Sequence, residues 1–238
     1  MTAPSAASSR NAERLRGALG LVFGELVRAG SRFVDDPQIR ERYPEYLVMC
    51  HTVIRASVPL MEAARANARE LAPGDPVAAE LVDYLTEHIE EERDHDEWLL
   101  RDLEAIGVPR AEVLPRPPSP TVAAAVGAQY YWSLHFHPSA ILGWIALLEG
   151  YAPAPAMIDR LAERTGYPPE AFRTLRLHAE LDVAHGDELF ALVDRLALSE
   201  EQASVIGVNA MTSVHYLAKA LGDVTATPAA APSRRSDR

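Results

Sequence analysis

The apolar residues of this chain recur at helical spacing and do not alternate, and that pattern restricts the fold more than any other feature. Leu15, Leu19, Val22, Phe23 and Leu26 fall on one side of a helix turning about 100° per residue. Similar runs follow along most of the chain, and no β-type alternation interrupts them. The expected fold is all-α, a single-domain bundle of about seven or eight helices.

Proline and glycine place the breaks. A second helix is expected from Pro44 to Leu71, stopped by "LAPGDP". Asp75 as N-cap and Pro76 in the first turn open a third, expected to run unbroken to Ile106. The segment "GVPRAEVLPRPPSP" reads as a long connection inside one domain. Further helices are expected over Thr121–Phe136, from Pro138 to near Gly150, over Ala156–Thr165, and from Pro168 and Pro169 to Ala197. Ser199 and Gln202 resemble a capping box for a last helix ending near Leu221. Residues 1–8 and 223–238, rich in Ala, Pro, Ser and charge, predict disordered ends around a helical domain spanning 9–222.

Composition narrows the partners. The 238 residues are 48% hydrophobic, enough for one substantial core. Net charge is −11 and the Lys and Arg residues are scattered, which argues against nucleic acid and against a polybasic membrane patch. The longest apolar run, Ala140 to Leu148, is too short to cross a bilayer. A small-molecule partner is therefore expected. Cys50 is the sole cysteine, so no intrachain disulfide forms, and the N-terminal residues lack the apolar core of a signal peptide. The expected location is the cytoplasm.

Two stretches about ninety residues apart carry the chemistry: "HIEEERDH" at 88–95 and "HAELDVAH" at 178–185. On continuous helices, positions i, i+4 and i+7 fall within about 60° of arc. His88, Glu92 and His95 would share one face, and His178, Asp182 and His185 another. Imidazole and carboxylate donors suit a redox-capable first-row metal such as iron or manganese. Di-metal bundles take a Glu from each of two helices and a Glu-x-x-His from each of the other two. This chain offers Glu62, Glu92-x-x-His95, Glu149 and Asp182-x-x-His185 in that order. Glu149 ends an apolar run, where a lone charge is costly unless paired or bound to metal. Glu90, Glu91 and Asp94 read instead as a solvated face. Arg55, on a face with His51 and Glu62, could grip a substrate carboxylate or pair with Glu62. Tyr131, in the aromatic "QYYWSLHFHP", and Trp144, beside Glu149, are candidate pocket residues.

Together "HTVIRASVPLMEAA", "HIEEERDHDEWLLRDLEAIG", "LLEGY" and "HAELDVAHGDEL" resemble the heme-oxygenase-like diiron oxidases and oxygenases, relatives of the TenA and PqqC folds, from Pro44 to Leu192. The specific element is His178-x-x-x-Asp182-x-x-His185, because a ferritin-like bundle has no standing use for His178. The resemblance implies a heme-oxygenase-like fold and ligand roles for His95, Glu149, His178, Asp182 and His185. Glu92 matches a carboxylate found in some members; in others the carboxylate lies where His88 stands, which leaves His88 as an extra ligand or a donor behind the ligands. Leu85 cannot supply the further carboxylate of some N-oxygenating members, which disfavours N-oxygenation.

The implied cofactors are two Fe(II) ions, with manganese as the alternative, and O2 as co-substrate. The implied reaction is oxidation of a small organic substrate in specialised metabolism, by desaturation, hydroxylation or oxidative C–C or C–N cleavage, and a carboxylate-bearing substrate is the one Arg55 would suit. A homodimer is one assembly compatible with this. Three other readings stand beside it: a TenA-like metal-free hydrolase using Cys50, a heme protein with one axial His, and a ferritin-like iron-binding protein without an organic substrate.

Overall fold

The computed structural model describes residues 11–151 and 153–226, and over them the chain is helical with no strand. Helix α1 covers Asn11–Asp35, α2 Ile39–Leu71, α3 Pro76–Glu91, α4 His95–Ala105, and the short α5 Arg110–Val113. Helix α6 follows over Pro120–His135 and α7 over Ile141–Leu148, entered through a 3₁₀ turn at Pro138–Ala140. Helix α8 spans Pro155–Thr165, α9 Arg173–Arg195 after a 3₁₀ turn at Pro169–Phe172, and α10 Glu200–Ala226.

The caps form as their chemistry dictates. The Asp75 carboxylate accepts from the backbone of Val77 and Ala78 at 2.8 and 3.0 Å. Ser199 and Gln202 exchange hydrogen bonds at 2.8 and 3.2 Å, a complete capping box.

Three boundaries differ from expectation. The second helix starts at Ile39, so Pro44 lies inside it despite forfeiting a backbone hydrogen bond. Tyr43, fully buried, anchors that turn by donating from its hydroxyl to the Ala171 carbonyl at 2.9 Å. The expected third helix is two helices: Asp94 adopts a left-handed conformation (φ 66°) and α4 begins at His95. Helix α10 continues to Ala226, so residues 223–226 are helical. The other residues expected to be disordered, 1–8 and 227–238, lie outside the described part.

Helix α2 packs against α3, α4 and α6, and α1 packs along α10. By length and composition α2 could cross a membrane. Its faces here include Leu47, Val53, Leu60, Met61 and Ala64, all buried in the core. Helix α7 is buried from Ile141 to Leu147. It lies so close to α10 that a Cβ on Gly143 would collide with the Ile206 carbonyl. Asn209 on α10 locks this crossing, donating to Gln129 Oε1 at 2.7 Å and the Ala140 carbonyl at 2.6 Å. Those contacts fix the start of α7 and thereby the place of Glu149 at its end.

Candidate metal centre

Three elements converge on one buried polar patch. The end of α3 and the turn after it bring His88, Glu92 and His95; the C-terminus of α7 brings Glu149; α9 brings His178, Asp182 and His185. On α9 the grouping is helical phase. Beside α3 it holds only as far as Glu92, whose amide still donates to the His88 carbonyl; the chain then leaves the helix and re-enters at His95. The tight turn itself sets His95 Nδ1 3.2 Å from Glu92 Oε2.

Gly186 lets α9 approach: a Cβ there would lie 3.0 Å from the Glu149 carbonyl oxygen and 3.2 Å from Gly150 Cα. His185 Nδ1 consequently sits 3.9 Å from Glu149 Oε2 and 4.0 Å from Glu92 Oε1.

Two donor groups result, each with its ligating atoms within 4.8 Å of one another: Glu92, His95 and His178, and His88, Glu92 and Glu149. Glu92 belongs to both. His88 gives Nε2 to Glu149 Oε1 at 2.8 Å and Nδ1 to Glu91 Oε2 at 3.4 Å. His178 donates from Nδ1 to the Thr174 carbonyl at 2.9 Å, which leaves Nε2 as its free nitrogen.

The patch fits a cation by two independent observations. Buried polar atoms normally find partners, yet Glu149 Oε2, Asp182 Oδ1 and His185 Nδ1 are buried without a hydrogen bond. The donor types, imidazole nitrogen with carboxylate oxygen and no sulfur, suit iron or manganese.

Electrostatics agree. Burial, reinforced by the Glu149 and Glu92 charges, pushes the Asp182 carboxyl up to about 8. Burial likewise raises Glu149 against the opposing His88 hydrogen bond. Burial works against the His88 imidazolium, but Glu149, Glu92 and Glu91 outweigh it and push His88 up to about 9. Carboxylates crowded in low dielectric resist ionising together unless positive charge joins them.

Other expected site residues lie elsewhere. Glu62 is exposed on α2 and belongs to neither donor group. Tyr131 is 62% exposed, its ring against Trp132 and His135. Trp144 is buried in α7 with its indole nitrogen unpartnered. Arg55 is half-buried near His51, whose pKa is lowered by burial and by the Arg55 charge.

Several contacting residues escaped the sequence reading. Glu91, read as solvated, reaches His88 and comes within 3.9 Å of His185 Nε2. Tyr84 stacks on His88, with ring centroids 5.1 Å apart, and lies one turn before it, a spacing that could have flagged it. Trp98 stacks on His95 at 3.9 Å. Asp102 accepts from the Thr174 backbone at 2.9 Å, and no local pattern marks that pairing.

A family model described as "Iron-containing redox enzyme" matches residues 45–216. No curated protein matches the chain. Among solved structures, a domain of unknown function with a heme oxygenase-like fold from Shewanella denitrificans OS217 is 17% identical with a TM-score of 0.71, covering 90% of this chain and 88% of that one. A TenA homolog from Pseudomonas syringae pv. tomato str. DC3000 is 14% identical with a TM-score of 0.65, covering 94% of this chain and 97% of that one. These likenesses show a heme-oxygenase-like fold.

Proposed function

Because the chain belongs to the iron-containing redox enzyme family, we propose that it is an O2-dependent non-heme diiron oxidase or oxygenase acting on a small organic substrate. Desaturation, hydroxylation and oxidative C–C or C–N cleavage are the reaction types within this reading. The observation that carries it is the place of Glu92 between two sets of donors, with His95 and His178 on one side and, on the other, Glu149, which His88 holds by a hydrogen bond. A shared carboxylate is what two neighbouring cations need to offset their repulsion.

Iron held there would supply electrons to O2. Glu92, His95 and His178 would hold one ion; Glu92 and Glu149, with Asp182 and His185 beside them, would hold the other. Thr174 orients the His178 ring through its carbonyl. Leu85 and Ile89, which flank His88 on α3, and Leu189, one turn after His185 on α9, are fully buried and would shield the inner side from water. Arg55, with no carboxylate paired to it among the described residues, and His51, whose buried Nε2 has no partner, are the groups we assign to a substrate carboxylate.

The fold likeness to a TenA homolog keeps a metal-free hydrolase as the second reading. It would require a thiolate, and burial pushes Cys50 up to about 12 even against the Tyr46 hydrogen bond.

Anaerobic titration of the metal-free protein with ferrous iron, followed by mixing with O2, tests the proposal. Binding near two irons per chain and O2 uptake accelerated by a carboxylate-bearing substrate are expected. No iron binding would overturn it. Iron-dependent O2 uptake indifferent to every small molecule would replace it with the ferritin-like reading.

A further inference from the structure

We propose that Trp98 is the outlet through which oxidising equivalents leave the metal centre, and so the residue oxidised when bound iron meets O2 without substrate. The inference rests on the iron-binding reading above. Trp98 lies one turn after His95 on α4. Its ring stacks on His95 with centroids 3.9 Å apart and planes 32° apart, and it meets His178 edge-on at 6.0 Å. One indole thus touches both histidines of the first donor group, from two different helices. The same residue is only half-buried, so it links those histidines to solvent.

Side-chain chemistry selects Trp98 over the other aromatic neighbour. An indole is among the most readily oxidised side chains and can lose an electron before it loses a proton. A phenol must shed its proton together with the electron to be oxidised easily. Tyr84 stacks on His88, but its hydroxyl is buried with no hydrogen-bond partner. It therefore lacks a base to take that proton. Trp144 is 1% exposed in the α7 core, and half-buried Trp132 on α6 meets the Tyr131 ring edge-on. Trp132 is thus an internal control of comparable exposure away from the donor histidines.

The chemistry balances with bound ferrous iron as reductant. One tryptophan C–H, one O2, two Fe(II) and two protons give one hydroxylated tryptophan, one water and two Fe(III). The O–O bond breaks and both of its oxygens leave as water; the indole, having given up two electrons, takes its oxygen from a solvent water at its exposed side and loses the C–H proton, so one of the two waters formed is consumed. In normal turnover the substrate takes the place of the indole as two-electron donor.

The test uses the full chain, loaded anaerobically with ferrous iron, assayed for bound iron, then exposed to O2 with catalase present and no substrate. Peptide mass spectrometry reads the gain of one oxygen at each tryptophan. Oxidation at Trp98 several times that at Trp132, dependent on bound iron, is expected. In His178→Ala it should fall to the Trp132 level, since that variant loses a donor. Trp98→Phe should load iron like the native chain without shifting the oxidation to Trp132. Bound iron and O2 uptake with Trp98 unmodified, or undiminished Trp98 oxidation in His178→Ala, would overturn the inference while leaving the iron site standing. Failure to bind iron would overturn both, and the iron assay separates the two failures.

Discussion

His88 Nε2 lies 2.8 Å from Glu149 Oε1, a buried contact joining α3 to the end of α7. It holds a carboxylate whose other oxygen has no hydrogen-bond partner. A His88→Ala variant would strand Glu149 in the core and should lose about 1–3 kcal/mol of stability in urea unfolding of the metal-free protein. His88→Gln, which can still donate, should recover part of that loss. Iron stoichiometry should survive in both, because Asp182 and His185 remain beside Glu149; loss of one iron in His88→Gln would make His88 itself a ligand.

His178→Ala should lower iron loading while leaving the helical circular-dichroism signal largely intact. The side chain is only half-buried, and its one hydrogen bond, to Thr174, is worth about 1 kcal/mol. Full loading in this variant would remove α9 from the ligand set.

Gly186→Ala tests the approach of α9 to α7. The new methyl would press on Glu149 and Gly150 backbone atoms at 3.0 and 3.2 Å, which rotamer change cannot relieve. Because both opposing atoms are backbone, the overpacking cost of about 1–3 kcal/mol is expected to outweigh the gain of about 1 kcal/mol from helix propensity, for a small net loss together with weaker iron binding at the Glu149 side, read by competition with a chelator. Native-like affinity would show that the two elements can part without harm to the site.

Asp102 predicts a pH dependence. Burial raises its carboxyl from 3.8 to about 6 even though the Thr174 hydrogen bonds favour the charged form. An acid whose folded pKa is raised contributes stability that is full below about pH 4 and is lost as pH rises through about 6. Asp102→Asn keeps an acceptor for the Thr174 amide and removes the charge. Relative to the native chain the variant should therefore gain stability from pH 4 to pH 7, by at most about 3 kcal/mol. A difference that is flat with pH would contradict this assignment.

Glu90→Ala should leave iron loading unchanged. Glu90 is exposed and pairs with Arg93 at 2.6 Å, away from both donor groups. A large loss of iron would mean that the other face of α3 carries the site.

The donor residues themselves were legible because helical phase is a local property. His178, Asp182 and His185 meet on α9 as their spacing requires, and Asp75 and Ser199 cap where short polar side chains satisfy free amides. On α3 helical phase accounts for His88 and Glu92 but not for His95. His88, Glu92 and His95 come together, but across a break at Asp94, whose left-handed backbone no periodicity reveals. Glu62 had the right residue type and chain order, yet α2 turns it outward. Its apolar flank, Leu60, Met61 and Ala64, is buried on other sides of the same helix.

By itself, then, the amino-acid sequence determined the helices, most of their ends and the pool of nitrogen and oxygen donors, because each depends on residues within a few positions of one another. Only the tertiary structure decided which donors lie close enough together to share an ion. Glu92 lies in both groups because it ends α3 in helical phase with His88 while the break at Asp94 folds His95 back beside it. Glu149 faces His185 because Gly186 admits close packing. Trp98 reaches His178 because α4 and α9 lie side by side. These relations join residues that are far apart in the chain and are set by packing of backbone against backbone, which no local pattern encodes.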